Sequence, residues 1–129
     1  MGAAAISTKI RVLIADDHRL FAEALAAILA IDDRIEVVGQ ANDGEKAVEL
    51  AASQQPDVVL MDIQMPRLDG VEAAKQIKQG RNGPAVLMLT GSNAAADVAR
   101  AREAGAAGYV TKDRIASELI DSIVEVTRK

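Results

Sequence analysis

Residues 56–70 read Pro56-Asp57-Val58-Val59-Leu60-Met61-Asp62-Ile63-Gln64-Met65-Pro66-Arg67-Leu68-Asp69-Gly70. The apolar run Val58–Met61 stands between a Pro-Asp break and an aspartate. A run this short, with β-branched residues and turn residues around it, marks a strand covered on both faces. Beyond Asp62, Pro66 and Asp69-Gly70 impose a loop, and helical spacing resumes with Val71, Ala74 and Ile77 as far as Gly80. Gly70 is expected to meet an unusual backbone angle at that helix start. A buried strand, an acid at its carboxyl end and a helix after a short loop form one βα unit.

The same unit recurs on both sides. Ile10–Ala15, Ile35–Gly39, Ala85–Leu89 and, more weakly, Gly108–Val110 read as four further strands. A helix follows the first, with an apolar stripe of Leu20, Phe21, Ala24, Leu25, Ile28 and Leu29. A second has Asn42 and Glu45 as N-cap and N3 partner and runs to about Ser53. A fourth spans Asn93–Glu103, and a fifth carries Ile115, Leu119, Ile120 and Ile123, with Asp113 as N-cap. Five strand–helix repeats predict an α/β domain: a doubly wound, five-stranded parallel sheet with right-handed crossovers.

Composition narrows the function. The chain has 129 residues, half of them hydrophobic, which suits one domain. It has no cysteine, so disulfide scaffolds, thiolate zinc sites and cysteine nucleophiles are excluded. Fifteen basic against nineteen acidic side chains, one Tyr, one Phe and no Trp argue against a nucleic-acid-gripping surface. No run is long and apolar enough to span a bilayer, so a cytoplasmic placement is expected. Residues 1–8 are expected to be a disordered lead-in or a cloning remnant. Residues 9–129 then form the folded domain, with no further domain in this sequence.

In a doubly wound sheet, ligands bind beyond the carboxyl ends of the strands. Asp16, Asp17 and His18 follow strand one, Asp62 follows strand three, Thr90-Gly91-Ser92 follow strand four, and Thr111-Lys112 follow strand five. Each alone is ordinary turn chemistry; their convergence on one sheet edge is the signal. Carboxylates about 4 Å apart repel by roughly 4 kcal/mol at an effective dielectric near 20, so the cluster requires protons or cations. Lys112 supplies one charge, and Mg²⁺, which takes few carboxylates and keeps several waters, suits the remainder. Such a pocket fits phosphoryl transfer, with Asp62 as the carboxylate nucleophile and Lys112 and Thr90 contacting phosphoryl oxygens. His18, the single histidine, reads as the start of helix one, polar and near the pocket, rather than as a phosphodonor or metal ligand.

Four stretches, V-L-I-A-D-D-H-R-L, P-D-V-V-L-M-D-I-Q-M-P-R-L-D-G, V-L-M-L-T and A-G-A-A-G-Y-V-T-K-D, resemble the receiver domain of bacterial two-component response regulators. The likeness runs from about Lys9 to Thr127 and is greatest to the NarL/FixJ (LuxR-type) subgroup. It implies a flavodoxin-like (βα)5 fold with sheet order 2-1-3-4-5. It implies phosphorylation of Asp62 by a histidine kinase, with Mg²⁺ held by Asp16, Asp17, Asp62 and the Gln64 backbone carbonyl. It further implies Thr90 and Tyr109 as switch residues and Gln64 and Ser92 as positions that tune hydrolysis of the acyl phosphate. The domain would then be no enzyme beyond its own phosphorylation and dephosphorylation. It would be the N-terminal part of a transcriptional regulator, touching DNA only through an output domain absent from this sequence, with a homodimer possible.

Other readings fare less well. A haloacid-dehalogenase-type phosphatase resembles Asp-x-Asp after its first strand, whereas Asp16 and Asp17 are adjacent and Asp62 is followed by Ile63-Gln64. A flavin phosphate wants a Ser/Thr/Gly-rich first loop, which the two acids replace. A stand-alone receiver or a phosphate-independent interaction domain is the alternative, though the latter usually lacks a pocket residue.

Overall fold

The computed structural model describes residues 9–63, 65, 68–79, 83–91 and 95–127. Five strands, β1 (Ile10–Ala15), β2 (Ile35–Ala41), β3 (Val58–Asp62), β4 (Ala85–Thr90) and β5 (Gly108–Thr111), alternate with five helices. These are α1 (Arg19–Ala30), α2 (Gly44–Gln54), α3 (Gly70–Gln79), α4 (Ala95–Glu103) and α5 (Ile115–Thr127), the last entered through a 3-10 turn, Lys112–Arg114. All pairings are parallel, as the strand–helix alternation predicts, and the order is β2-β1-β3-β4-β5, as the family resemblance implies.

Side-chain alternation along the strands splits the core into two layers. Leu13, Ala15, Val59, Met61, Val86 and Met88 point to one face and meet Ala47, Ala51, Ala73, Ala74, Ile77 and Ala101 of α2, α3 and α4. Val12, Ile14, Val58, Leu60, Leu87 and Leu89 point to the other and meet Leu25, Leu29, Ile115, Leu119 and Ile123 of α1 and α5. Alanines dominate the buried face of α2, α3 and α4, whereas leucine and isoleucine fill the layer of α1 and α5. Among the described residues no helix is long and apolar enough to cross a membrane.

Local expectations change in several places. The buried face of α1 is Ala22, Leu25 and Leu29 with Phe21 half-buried, while Leu20 is 81% and Ile31 83% exposed, and Ala24 and Ile28 face outward. The helix, R-L-F-A-E-A-L-A-A-I-L-A, is apolar almost all round, so periodicity alone could not choose the face that meets the sheet. The N-cap of α2 is Asp43, whose Oδ1 accepts from the Lys46 N–H at 2.8 Å; Asn42 lies one residue too early. Asp113 is not the cap of α5 but lies inside the 3-10 turn, because β5 runs through Thr111 straight into it. The expected stop at Gly80, the start of α4 at Asn93 and the lead-in 1–8 lie outside the described residues.

Two glycines set the loop before α3. A Cβ on Gly70 would stand 2.0 Å from the Asp62 carbonyl oxygen, and one on Gly44 would stand 1.8 Å from the Leu68 carbonyl oxygen. Gly70 is therefore required for close backbone approach, not for the unusual dihedral expected from the sequence. The Gly70 N–H donates to the Ile63 carbonyl at 2.9 Å, and Asp69 Oδ1 accepts from the Glu72 N–H at 2.9 Å, capping α3. On the opposite side of the sheet edge, the α1–β2 turn is braced by Arg34 donating twice to Asp32; this guanidinium pulls the Asp32 carboxyl down to about 2.

Candidate functional site

The strands deliver their last residues to one edge. The Asp16 N–H donates to the Ala41 carbonyl at 3.0 Å, continuing the β1–β2 ladder, so Asp16 is fixed by the sheet itself. Asp62 is the final residue of β3 and pairs in register with Leu89; the Ile63 N–H donates to the Leu89 carbonyl at 3.1 Å. Thr90 and Thr111 end β4 and β5 side by side. Asp16, Asp62 and Thr90 are buried, which is unusual for such polar groups and marks a polar site.

Asp16, Asp17, His18 and Asp62 each offer one ligand atom, and these atoms all lie within 4.8 Å of one another. Lys112 reaches into the cluster, its Nζ donating to Asp16 Oδ2 at 3.1 Å and standing 3.5 Å from Asp62 Oδ2. Three carboxylates thus face one ammonium. Three carboxylates and Lys112 leave this group of side chains net negative, and the Asp16 side chain is wholly buried, which favours a divalent cation there. The donor set is oxygen-rich and geometrically open, as a hard cation that keeps waters requires. It fits a metal such as Mg²⁺.

His18 occupies the cap position of α1. Its backbone N–H donates to Asp16 Oδ1 at 2.8 Å, and its Nδ1 lies 3.3 Å from Asp16 Oδ1 and 3.5 Å from Asp17 Oδ1. The sequence places it at a polar helix start near the pocket, and the structure puts its imidazole within the acidic cluster. Its position directly after two acids and before a helix was the signal available. Its imidazole remains 71% exposed.

The sequence-derived residues therefore separate into groups. Asp16, Asp17, Asp62 and Lys112 are brought together, and Thr90 joins them at the same edge. Tyr109 lies on β5 with its side chain outward, 41% exposed, beside Thr111, Arg114 and Glu118. Gln64 and Ser92, the expected backbone ligand and tuning positions, lie outside the described residues.

The sequence profile of the response regulator receiver domain matches residues 12–124. The chain is 45% identical over 113 residues to the transcriptional regulatory protein PdtaR of Mycobacterium tuberculosis, covering 88% of this chain and 54% of PdtaR. It is 41% identical over 120 residues to the transcriptional regulatory protein DegU of Brevibacillus brevis, covering 93% of this chain and 51% of DegU. The chain thus spans about half the length of the curated relatives it matches. Among solved structures, the signal receiver domain of the response regulator NarL from Mycobacterium tuberculosis superposes with a TM-score of 0.87 at 34% identity, covering 92% of this chain and 96% of that one. The response regulator domain of Thermotoga maritima CheB gives 0.86 at 35% identity, with the same coverage of both chains.

Proposed function

The chain belongs to the response regulator receiver domain family, in its LuxR-type branch, and from that premise we propose that Asp62 accepts a phosphoryl group and thereby switches an output surface. The observation that carries this reading is the Lys112 ammonium held 3.1 Å from Asp16 and 3.5 Å from Asp62 at the carboxyl edge of the sheet.

In this reading an Asp62 carboxylate oxygen attacks phosphorus while the donor's leaving group departs with the bridging electron pair, forming an acyl phosphate. The donor is the phosphohistidine of a histidine kinase or a small acyl phosphate. Asp16, Asp17 and Asp62, with the Gln64 carbonyl that the family resemblance implies, would hold Mg²⁺, which would neutralise charge developing on the phosphoryl oxygens. Lys112 supplies a point charge to one phosphoryl oxygen, and the Thr90 hydroxyl donates to another. As Thr90 turns toward the phosphoryl group, Tyr109 leaves its outward position, a population shift driven by the new contacts. Gln64 and Ser92 tune hydrolysis of the acyl phosphate.

We assign no turnover beyond the domain's own phosphorylation and dephosphorylation. The protein acts in the cytoplasm, and DNA contact belongs to an output domain of the whole regulator. Incubation with acetyl phosphate and Mg²⁺ should add one phosphoryl group by intact mass, and a chelator should prevent it. No uptake with saturating Mg²⁺ would overturn the reading.

Replacing Lys112 by alanine gives a second expected outcome. The variant loses the only ammonium shown contacting Asp16 and Asp62 among the described residues, so electrostatic repulsion of a dication falls. Mg²⁺ should bind roughly tenfold more tightly, equivalent to about 1.4 kcal/mol. Beryllofluoride should nevertheless fail to shift the Tyr109 resonances by NMR. A variant that binds Mg²⁺ more weakly, or shows the native Tyr109 shift, would contradict the role given to Lys112.

A further inference from the structure

The Lys112 Nζ lies 4.5 Å from the centroid of the Phe21 ring, on the face of the ring. Phe21 sits in the first turn of α1, half-buried and packed against the core layer shared by α1 and α5. The chain contains one phenylalanine and one tyrosine, so aromatic rings are too scarce for this encounter to follow from abundance. We propose that Phe21 is a positioning residue for Lys112: its ring face holds the ammonium over the acidic edge, between Asp16 and Asp62. The proposal deepens the phosphoacceptor reading and rests on it.

The physical case has three parts. A lysine carries its charge on a flexible stem, so its usefulness to an incoming phosphoryl group depends on what restricts it. The negative face of an aromatic ring attracts a cation, and most strongly where water is thin; the Lys112 side chain is largely covered. Unlike a carboxylate, a ring is a weak competitor. It orients the ammonium without holding it back when anionic phosphoryl oxygens arrive, and it excludes water that would screen that attraction. Phe21 packs against the core, so its restraint on Lys112 comes from α1, far in sequence from the 3-10 turn that carries the lysine.

The test compares Phe21→Leu, which keeps apolar bulk but has no ring, with Phe21→Tyr, which keeps the ring. Two measurements are made on each and on the native chain. One is the rate of phosphoryl uptake from acetyl phosphate at fixed Mg²⁺; the other is the NMR shift of the Lys112 Hε protons, which a ring face displaces upfield. Phe21→Leu should slow uptake by about threefold to tenfold, the range expected from a cation–π contact of this kind. Its Lys112 signals should move to the positions of an exposed lysine. Phe21→Tyr should restore both within about twofold. Native-rate uptake in Phe21→Leu, or an equal fall in Phe21→Leu and Phe21→Tyr, would overturn the proposal in favour of packing alone. Native Lys112 signals without an upfield displacement would also overturn it, and this readout needs no variant. If the native chain takes up no phosphoryl group, the phosphoacceptor reading fails, and the native Lys112 shift still decides whether the ring holds the ammonium.

Discussion

Asp62→Asn is expected to take up no phosphoryl group from acetyl phosphate under conditions where the native chain takes up one. The amide is nearly isosteric with the carboxylate but is a poor nucleophile, so the acyl phosphate cannot form. The fold should survive. Asp62 ends β3 within a crowd of acids, and removing one negative charge relieves repulsion with Asp16 and Asp17 while the amide can still hydrogen-bond. A thermal melt should therefore stay within a few degrees of the native value or rise. Mg²⁺ affinity should fall by about tenfold or more, since one anionic ligand is gone. Intact-mass spectrometry with and without hydroxylamine, which cleaves acyl phosphates, makes the measurement. Continued labelling of the variant would move the acceptor to another residue, with Asp17 the nearest exposed carboxylate in the cluster.

Gly70→Ala should destabilise the domain by about 3 kcal/mol, lowering Tm by roughly 10 °C, and should disturb the acidic edge with it. The new methyl would meet the carbonyl oxygen of Asp62 at 2.0 Å and the Ile63 Cα at 2.9 Å. These are backbone atoms at the end of β3 and just past it, so no rotamer change relieves the clash. Either α3 lifts from the sheet, exposing Ala73, Ala74 and Ile77, or the end of β3 shifts and takes Asp62 with it. Both routes cost packing, and the second also slows phosphoryl uptake in the folded fraction. Gly91→Ala is the control. It lies just past Thr90 at the same edge, yet a Cβ there would meet nothing within 4 Å, and its Tm should be close to native. Equal melts for Gly70→Ala and native chain would show that the approach of α3 to β3 is not tight.

Much of the fold was legible because the strand runs are short, apolar and separated by helical periods. Their ends were less so. Val58–Met61, Ala85–Leu89 and Gly108–Val110 each extend by one polar residue in the structure, to Asp62, Thr90 and Thr111. Those residues are polar for the sake of the site, so composition alone placed them just outside the strands. The backbone hydrogen bonds continue through them regardless. The α1 stripe failed for the opposite reason: a helix apolar on nearly every side contains no pattern that names its buried face. Asp43 displaced Asn42 as the α2 cap because both residue types cap well and only the path of the chain leaving β2 decides between them.

The acidic pocket divides in the same way. Asp16, Asp17, Asp62, Thr90 and Lys112 were legible because functional side chains of a parallel sheet gather at its carboxyl ends. His18 was legible as a polar helix start near the pocket, whereas Phe21 was not, since a phenylalanine in an apolar stripe has an ordinary explanation. Only the docking of α1 against the sheet puts its ring against Lys112.

By itself, then, the order of residues determined the alternation of strand and helix, the parallel sheet and the acids that line its edge, because these follow from local periodicity and chain connectivity. The tertiary structure alone decided which side of α1 is buried, why position 70 must lack a side chain and what restrains the Lys112 ammonium. Each of those depends on contacts between segments far apart in sequence, where close packing leaves room for one arrangement and the chemistry of any single segment is compatible with several.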